Sequence, residues 1–159
     1  MNNERSFAKL KNIITGFAVL CLCAIPDAHA SERVGLGIIV GEPTGLSMKY
    51  WLDDTTAIDA ALAFSLSDNN QLQFHADYLI HSGMSTKNSR SLLSYYGVGA
   101  RIRHDDNDTR VGIRVPFGVT YNFSDVPVDL FAEIAPVLDV TPDVTFDLNA
   151  AVGIRYFFH

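Results

Sequence analysis

The chain has 159 residues and carries 12 Lys and Arg against 18 Asp and Glu, a formal net charge of −6. An acidic balance with no basic tract after residue 11 argues against nucleic acid as a partner. The two cysteines, Cys21 and Cys23, both lie in the first thirty residues, so the rest of the chain has no disulfide or thiol chemistry.

Arg5, Lys9 and Lys11 precede an apolar run from Ile13 to Ile25, and Ala28-His29-Ala30 follows it. That order predicts a cleaved secretory signal peptide over 1–30. The run falls well short of the roughly 20 residues that cross a bilayer as a helix. Leu20 and Leu22 before the cysteines argue against lipidation. Residues 31–159 are expected to form one domain of net charge −7, because removal takes three basic residues and two acidic ones, Glu4 and Asp27. No later segment is long and apolar enough for a transmembrane helix, so any insertion must use strands closed into a barrel.

Turn-forming clusters fall at Gly41-Glu42-Pro43, Asp53-Asp54, Ser67 to Asn70, Ser82 to Ser91, Asp105 to Asp108, Ser124-Asp125 and Thr141-Pro142-Asp143. They divide the chain into eight expected strands at about 33–40, 44–52, 56–66, 71–81, 92–104, 109–123, 126–140 and 143–158. Pro116 and Pro136 interrupt two of these, which predicts bulges that shift the alternation after them.

Alternation sorts the side chains into two faces. Val144, Phe146, Leu148, Ala150, Val152, Ile154, Tyr156 and Phe158 share one face of the last strand, and similar apolar rows run through Leu46 to Tyr50, Ile58 to Phe64, Leu72 to Ile80 and Val111 to Phe123. The opposite face combines Gly and Ala with Lys49, Asp59, His75, Asp77, Arg101, Arg114, Glu133, Asp147 and Arg155. A soluble lipocalin-like barrel carrying an apolar ligand would turn the apolar face inward and the polar face to water. A water-exposed face would be crowded with Lys and Glu, whereas small residues with balanced charges suit a narrow lumen in which each charge needs a partner. The expected fold is therefore all-β, an eight-stranded antiparallel up-and-down transmembrane β-barrel whose lumen is plugged by a charge network. Tyr50, Trp51, Tyr78, Tyr121, Phe123, Tyr156 and Phe158 end alternate strands and predict an interfacial aromatic belt, with Phe64, Phe74 and Phe146 at the other interface. Leu148 is expected near mid-membrane, and loss of Arg114 is expected to strand a lumenal carboxylate.

The pattern resembles the small eight-stranded outer-membrane barrels, the class that includes the OmpX protein and the membrane domain of OmpA. The resemblance covers residues 31–159 and rests on the leader, the alternating strands and the aromatic last strand. It implies an outer-membrane location, contact with membrane lipid and lipopolysaccharide, recognition of the last strand by the barrel-assembly machinery, and a monomer. His159 after Phe158 departs from the terminal Phe common in the class, and the longest connection, Ser82 to Ser91, falls on the periplasmic side instead of the outer one.

Chemistry is sparse. His75 and Asp77 share a face and are expected to be hydrogen-bonded members of the internal network, with no serine beside them to complete a triad. His81-Ser82 reads as a polar strand terminus, because a lipid-deacylating barrel enzyme would need His and Ser together on the membrane face. Asp105 to Asp108 is oxygen-rich but lacks the glycine and distal Glu of a calcium loop. The paired glycines Gly35, Gly37 and Gly97, Gly99 lack the helix of a nucleotide site and make room for long lumenal neighbours. The reading is a structural or surface-interaction protein with no catalytic site, metal or cofactor; an outer-membrane enzyme using His75, His81 or His104 as base is the alternative.

Overall fold

The structure is a computed structural model and describes residues 33–65, 71–83, 92–105 and 108–158. The expected leader 1–30, the Ser67 to Asn70 turn, most of the Ser82 to Ser91 connection, Asp106, Asn107, His159 and the Phe64 side chain lie outside the described residues.

Nine strands follow one another: β1 (Val34–Gly41), β2 (Gly45–Trp51), β3 (Thr56–Ser65), β4 (Gln71–Gly83), β5 (Leu92–His104), β6 (Thr109–Arg114), β7 (Phe117–Asn122), β8 (Val128–Thr141) and β9 (Thr145–Phe157). Apart from β6 and β7, which do not pair with each other, each pairs antiparallel with its chain neighbours around the sheet, and β1 closes it by pairing with β9. The ninth strand is no extra stave. β6 and β7 both lie between β5 and β8 in one continuing register, Gly99 opposite Arg114 and Tyr96 opposite Phe117, so together they form the sixth of eight staves. The division falls at Val115-Pro116, where proline has no N–H for the ladder.

Following cross-strand partners from Leu92 leads through Tyr121, Leu130, Ile154, Ile38, Leu46, Leu62 and Phe74 to Ile102, ten residues further along β5. A stagger of that size over eight staves, with ~3.3 Å per residue and ~4.8 Å between strands, tilts the staves by about 40° and leaves a backbone radius of ~8 Å. So narrow a lumen is filled by side chains. All the residues on the circuit are apolar or aromatic and occupy outward positions, which shows how the period of two carries the face assignment around the whole wall.

The expected bulges at Pro116 and Pro136 are absent. Burial keeps alternating through both prolines, and β8 stays in register with β9 across Pro136 opposite Leu148. Each proline loses a donor but keeps its acceptor: Gly97 N–H donates to the Pro116 carbonyl at 2.9 Å and Val115 N–H to the Pro136 carbonyl at 3.0 Å. The register shift that does occur lies between Val111 and Gly112, opposite Thr141 and Asp139.

The wall is not of even height. β9 has β1 partners only from Ala151 onward, with one further bond from Glu42 N–H to the Ala150 carbonyl at 2.9 Å, so Thr145 to Asn149 run past the β1–β2 hairpin. Leu148 therefore lies toward the rim and not near mid-wall; Val152, between Ala132 and Val40, is an outward residue beside Ala151 at the centre of β9.

Candidate functional site

The inward positions of the staves bring the lumenal side chains together. Arg101, Arg114, Arg155 and Lys49 are among the largest fully buried side chains, each no more than 1% exposed. Burying a guanidinium away from water costs several kcal/mol unless it is paired and hydrogen-bonded, and the arginines are.

Arg155, on β9, reaches across the lumen to Asp59 on β3 and donates through Nε to Asp129 on β8 at 3.0 Å. Its guanidinium lies 4.0 Å from the centre of the Phe131 ring, and Thr120 donates to the other oxygen of Asp129 at 3.3 Å. Arg114, on β6, donates through Nε to Asp77 at 2.8 Å and through Nη2 to Glu133, whose second oxygen accepts the Tyr95 hydroxyl at 3.0 Å. Arg101, on β5, donates to Asp139 at 2.7 Å, Asp147 at 2.8 Å and Asn149 at 3.2 Å. Arg114 reaches the same Asn149 oxygen at 3.4 Å, which joins the two groups.

Glycines make room for these long side chains. A Cβ on Gly118 would clash with the Tyr95 ring at Cζ, and one on Gly153 with the Phe131 ring at Cε1 and Cζ. Ile39, Ala61, Phe131 and Ala151 form a small apolar cluster within the lumen.

Lys49 differs from the arginines. Among the described residues no carboxylate lies within ion-pair distance of its Nζ, which instead contacts His81 Nε2 at 2.8 Å and lies 4.3 Å from the Trp51 ring centre. The Trp51, His81 and Tyr95 rings contact one another in sequence, tilted by 47° and 38°, with centroids 4.3 and 5.3 Å apart.

Three sequence expectations change here. Trp51 is not part of an outward belt: it has the same parity as Lys49 and its ring packs against the lumenal Lys49 and His81. His81 is not an interfacial strand terminus but points inward and is 5% exposed, because β4 continues to Gly83. His75 is inward and buried, yet its Nε2 is 3.9 Å from Asp77, too far for a hydrogen bond, since Asp77 is turned toward Arg114.

The inward charged set also contains residues that strand parity would have revealed: Asp129 and Asp139 alternate with Glu133 on β8, and Arg103 with Arg101 on β5. Of these, only Asp139 lies beyond Pro136, where the expected bulge would shift the alternation. Tyr50, Tyr78, Tyr121, Phe123, Tyr156 and Phe158 occupy outward positions, with Tyr121 and Phe123 edge to face at 5.0 Å and Tyr156 and Phe158 at 5.3 Å. Of the Asp105 to Asp108 turn, Asp105 N–H donates to the Asp108 carbonyl at 2.9 Å. Among the described residues no group of three metal-ligating side chains comes together.

The fold defines the class: a small outer-membrane-type β-barrel. It is similar to the N-terminal β-barrel domain of Pseudomonas aeruginosa OprF, with a TM-score of 0.62 and 14% identity over 79% of this chain and 96% of that one. Neisserial surface protein A (NspA) aligns at a TM-score of 0.49 and 16% identity, over 79% of this chain and 94% of that one. No family model and no curated protein matches the sequence.

Proposed function

We propose that this protein is an integral outer-membrane β-barrel with a structural or surface-interaction role, non-catalytic, monomeric and filled by its lumenal charge network. The observation that carries the reading is the inverted distribution of polarity. The wall turns Ile38, Val98, Ile134, Val152 and their neighbours outward while Arg101, Arg114 and Arg155 are buried inside. In water such a surface would be a single apolar patch far beyond the few hundred Å² that soluble monomers expose. Against hydrocarbon it is the favourable arrangement, because the sheet closes on itself and its backbone groups pair between neighbouring strands over most of the wall.

The end carrying Val34 and Phe157 then faces the periplasm, and the outward Tyr121, Phe123, Tyr156 and Phe158 lie at its interface. The last strand supplies the contact for the assembly machinery. A general porin needs an aqueous lumen of about twice as many strands, so steady porin-type conductance is not expected. A soluble carrier of apolar ligands needs the opposite facing, with an apolar lumen where this one buries ion pairs.

The experiment is to express the precursor in a Gram-negative host and wash its membranes with urea. Retention of the mature protein in the outer-membrane fraction is expected; release with the periplasmic contents would overturn the reading.

A further inference from the structure

Thr145 to Asn149, the part of β9 that outruns β1, keep β8 partners on one side only. In the middle of this run Asp147 turns inward, and its Oδ2 lies 2.8 Å from Arg101 Nη1 and 3.4 Å from Arg103 Nη2. One carboxylate oxygen thus bridges two guanidiniums on the same face of β5. Asp147 is also the most accessible of the three, with its side chain 35% exposed against 0% for Arg101 and 15% for Arg103.

The surrounding side chains are under-used. Arg101 Nε, Gln73 Nε2, Asn149 Nδ2 and Asp139 Oδ1 are buried without a hydrogen-bond partner among the described residues. All four residues are at least nine-tenths buried, and three of the four orphaned atoms are donors. Arg101 retains Asp139 at 2.7 Å whatever Asp147 does, whereas among the described residues Arg103 has only Gln73, at 3.1 Å, and Asp147. If Asp147 swung out, the cluster of Arg101, Arg103 and Asp139 would carry one net positive charge, with unpartnered N–H donors beside it on β4, β5 and β9. Donors arriving from three strands suit a tetrahedral oxyanion, and guanidinium pairs with phosphate through charge-assisted hydrogen bonds.

We propose that this cluster is a phosphate-binding site at the rim of the lumen, and that Asp147 occupies it as an internal stand-in anion that an incoming phosphate group displaces. The missing β1 neighbour leaves this part of β9 held by a strand on one side only, beside the low wall of the β1–β2 hairpin, and Asp147 is the exposed member of the cluster. The phosphate is that of a lipid headgroup or a free phosphate. The inference rests on the outer-membrane reading only for the source of the phosphate; the binding itself depends on the lumenal geometry.

The test uses the refolded barrel in zwitterionic detergent with ¹⁵N-labelled arginine. Titration with inorganic phosphate is expected to shift the Nε–H resonances of Arg101 and Arg103 saturably. Asp147→Asn should tighten that binding at least tenfold, and Arg103→Gln should weaken it at least tenfold. These opposite signs are not expected of residues that merely support the fold. Phosphatidic acid mixed into the micelles moving the same resonances at lower concentration than inorganic phosphate would identify a lipid headgroup; a response to inorganic phosphate alone would identify the free anion. Unmoved wild-type resonances with both probes would overturn the proposal, as would equal affinities in wild type and Asp147→Asn. Should Asp147→Asn fail to refold, the wild-type resonances decide alone. Failure of the outer-membrane reading would show separately, in the fractionation.

Discussion

The inside and the outside of this barrel wall obey opposite rules. Inside, three arginines and a lysine are almost completely buried; outside, Val144 and Phe146 are each 73% exposed. Only one residue separates an inward position from an outward one, so the contrast is set by the period of two and by what lies beyond each face. Within the lumen there is a second contrast. Arg101, Arg114 and Arg155 are each held by two carboxylates, while Lys49 is held by an imidazole and an indole.

Breaking the inner rule should have the largest effect. Arg155→Ala, or Arg114→Ala, leaves two buried carboxylates without their partner and is expected to cost about 3 to 5 kcal/mol in a urea titration of the refolded protein. Breaking the outer rule comes next. Val152→Arg, at the middle of β9, should cost about 2 to 4 kcal/mol in lipid vesicles, and Leu148→Arg, toward the rim, no more than about 1 kcal/mol. Equal costs at the two positions would remove the depth assignment.

Lys49→Met sharpens the contrast within the lumen. The Met side chain keeps the packing against Trp51, and Asp59 and Asp129 keep Arg155, so the change should cost less than about 1 kcal/mol or stabilise the barrel. A loss comparable to that of Arg155→Ala would mean that Lys49 balances a lumenal carboxylate.

The smallest effect is expected at the turn between β2 and β3. Asp53 accepts from the backbone N–H and hydroxyl of both Thr55 and Thr56, at 2.6 to 2.8 Å. These bonds, the Thr56 hydroxyl first, hold its carboxyl well below the usual aspartate range. A depressed pKa contributes stability above the unfolded value of about 4 and loses it as pH falls through the folded value. Asp53→Ala should therefore lower stability slightly at neutral pH and lose its effect in strong acid, a difference read by paired urea titrations. Because Asp53 is fully exposed, solvent screening keeps the effect small.

Several residues show how far the pattern could be read. Arg101, Arg114, Glu133 and Arg155 alternate with apolar neighbours, and their inward facing follows from that alternation alone. Trp51 and His81 share the parity of Lys49 and His75, but whether the alternation extends as far as their positions was not legible in the sequence. Both sit at strand ends, where an extra residue of strand decides whether a ring meets the interface or the lumen, and β4 runs to Gly83. Pro116 and Pro136 misled in the other direction. Losing a donor suggests a bulge, but only the paired strand reveals that each proline carbonyl still anchors the register.

The sequence by itself determined the strands, the two faces and the narrow plugged lumen, because side-chain direction alternates with chain position and the turns are marked by residues that break strands. Only the tertiary structure decided which charges meet. Partners such as Arg155 and Asp59 lie 96 residues apart and come together across the lumen through the stagger accumulated around the whole circuit. The uneven rim that leaves Asp147 between two arginines, on a stretch of β9 without a β1 neighbour, arises from the same stagger and from a β1–β2 hairpin shorter than the staves beside it.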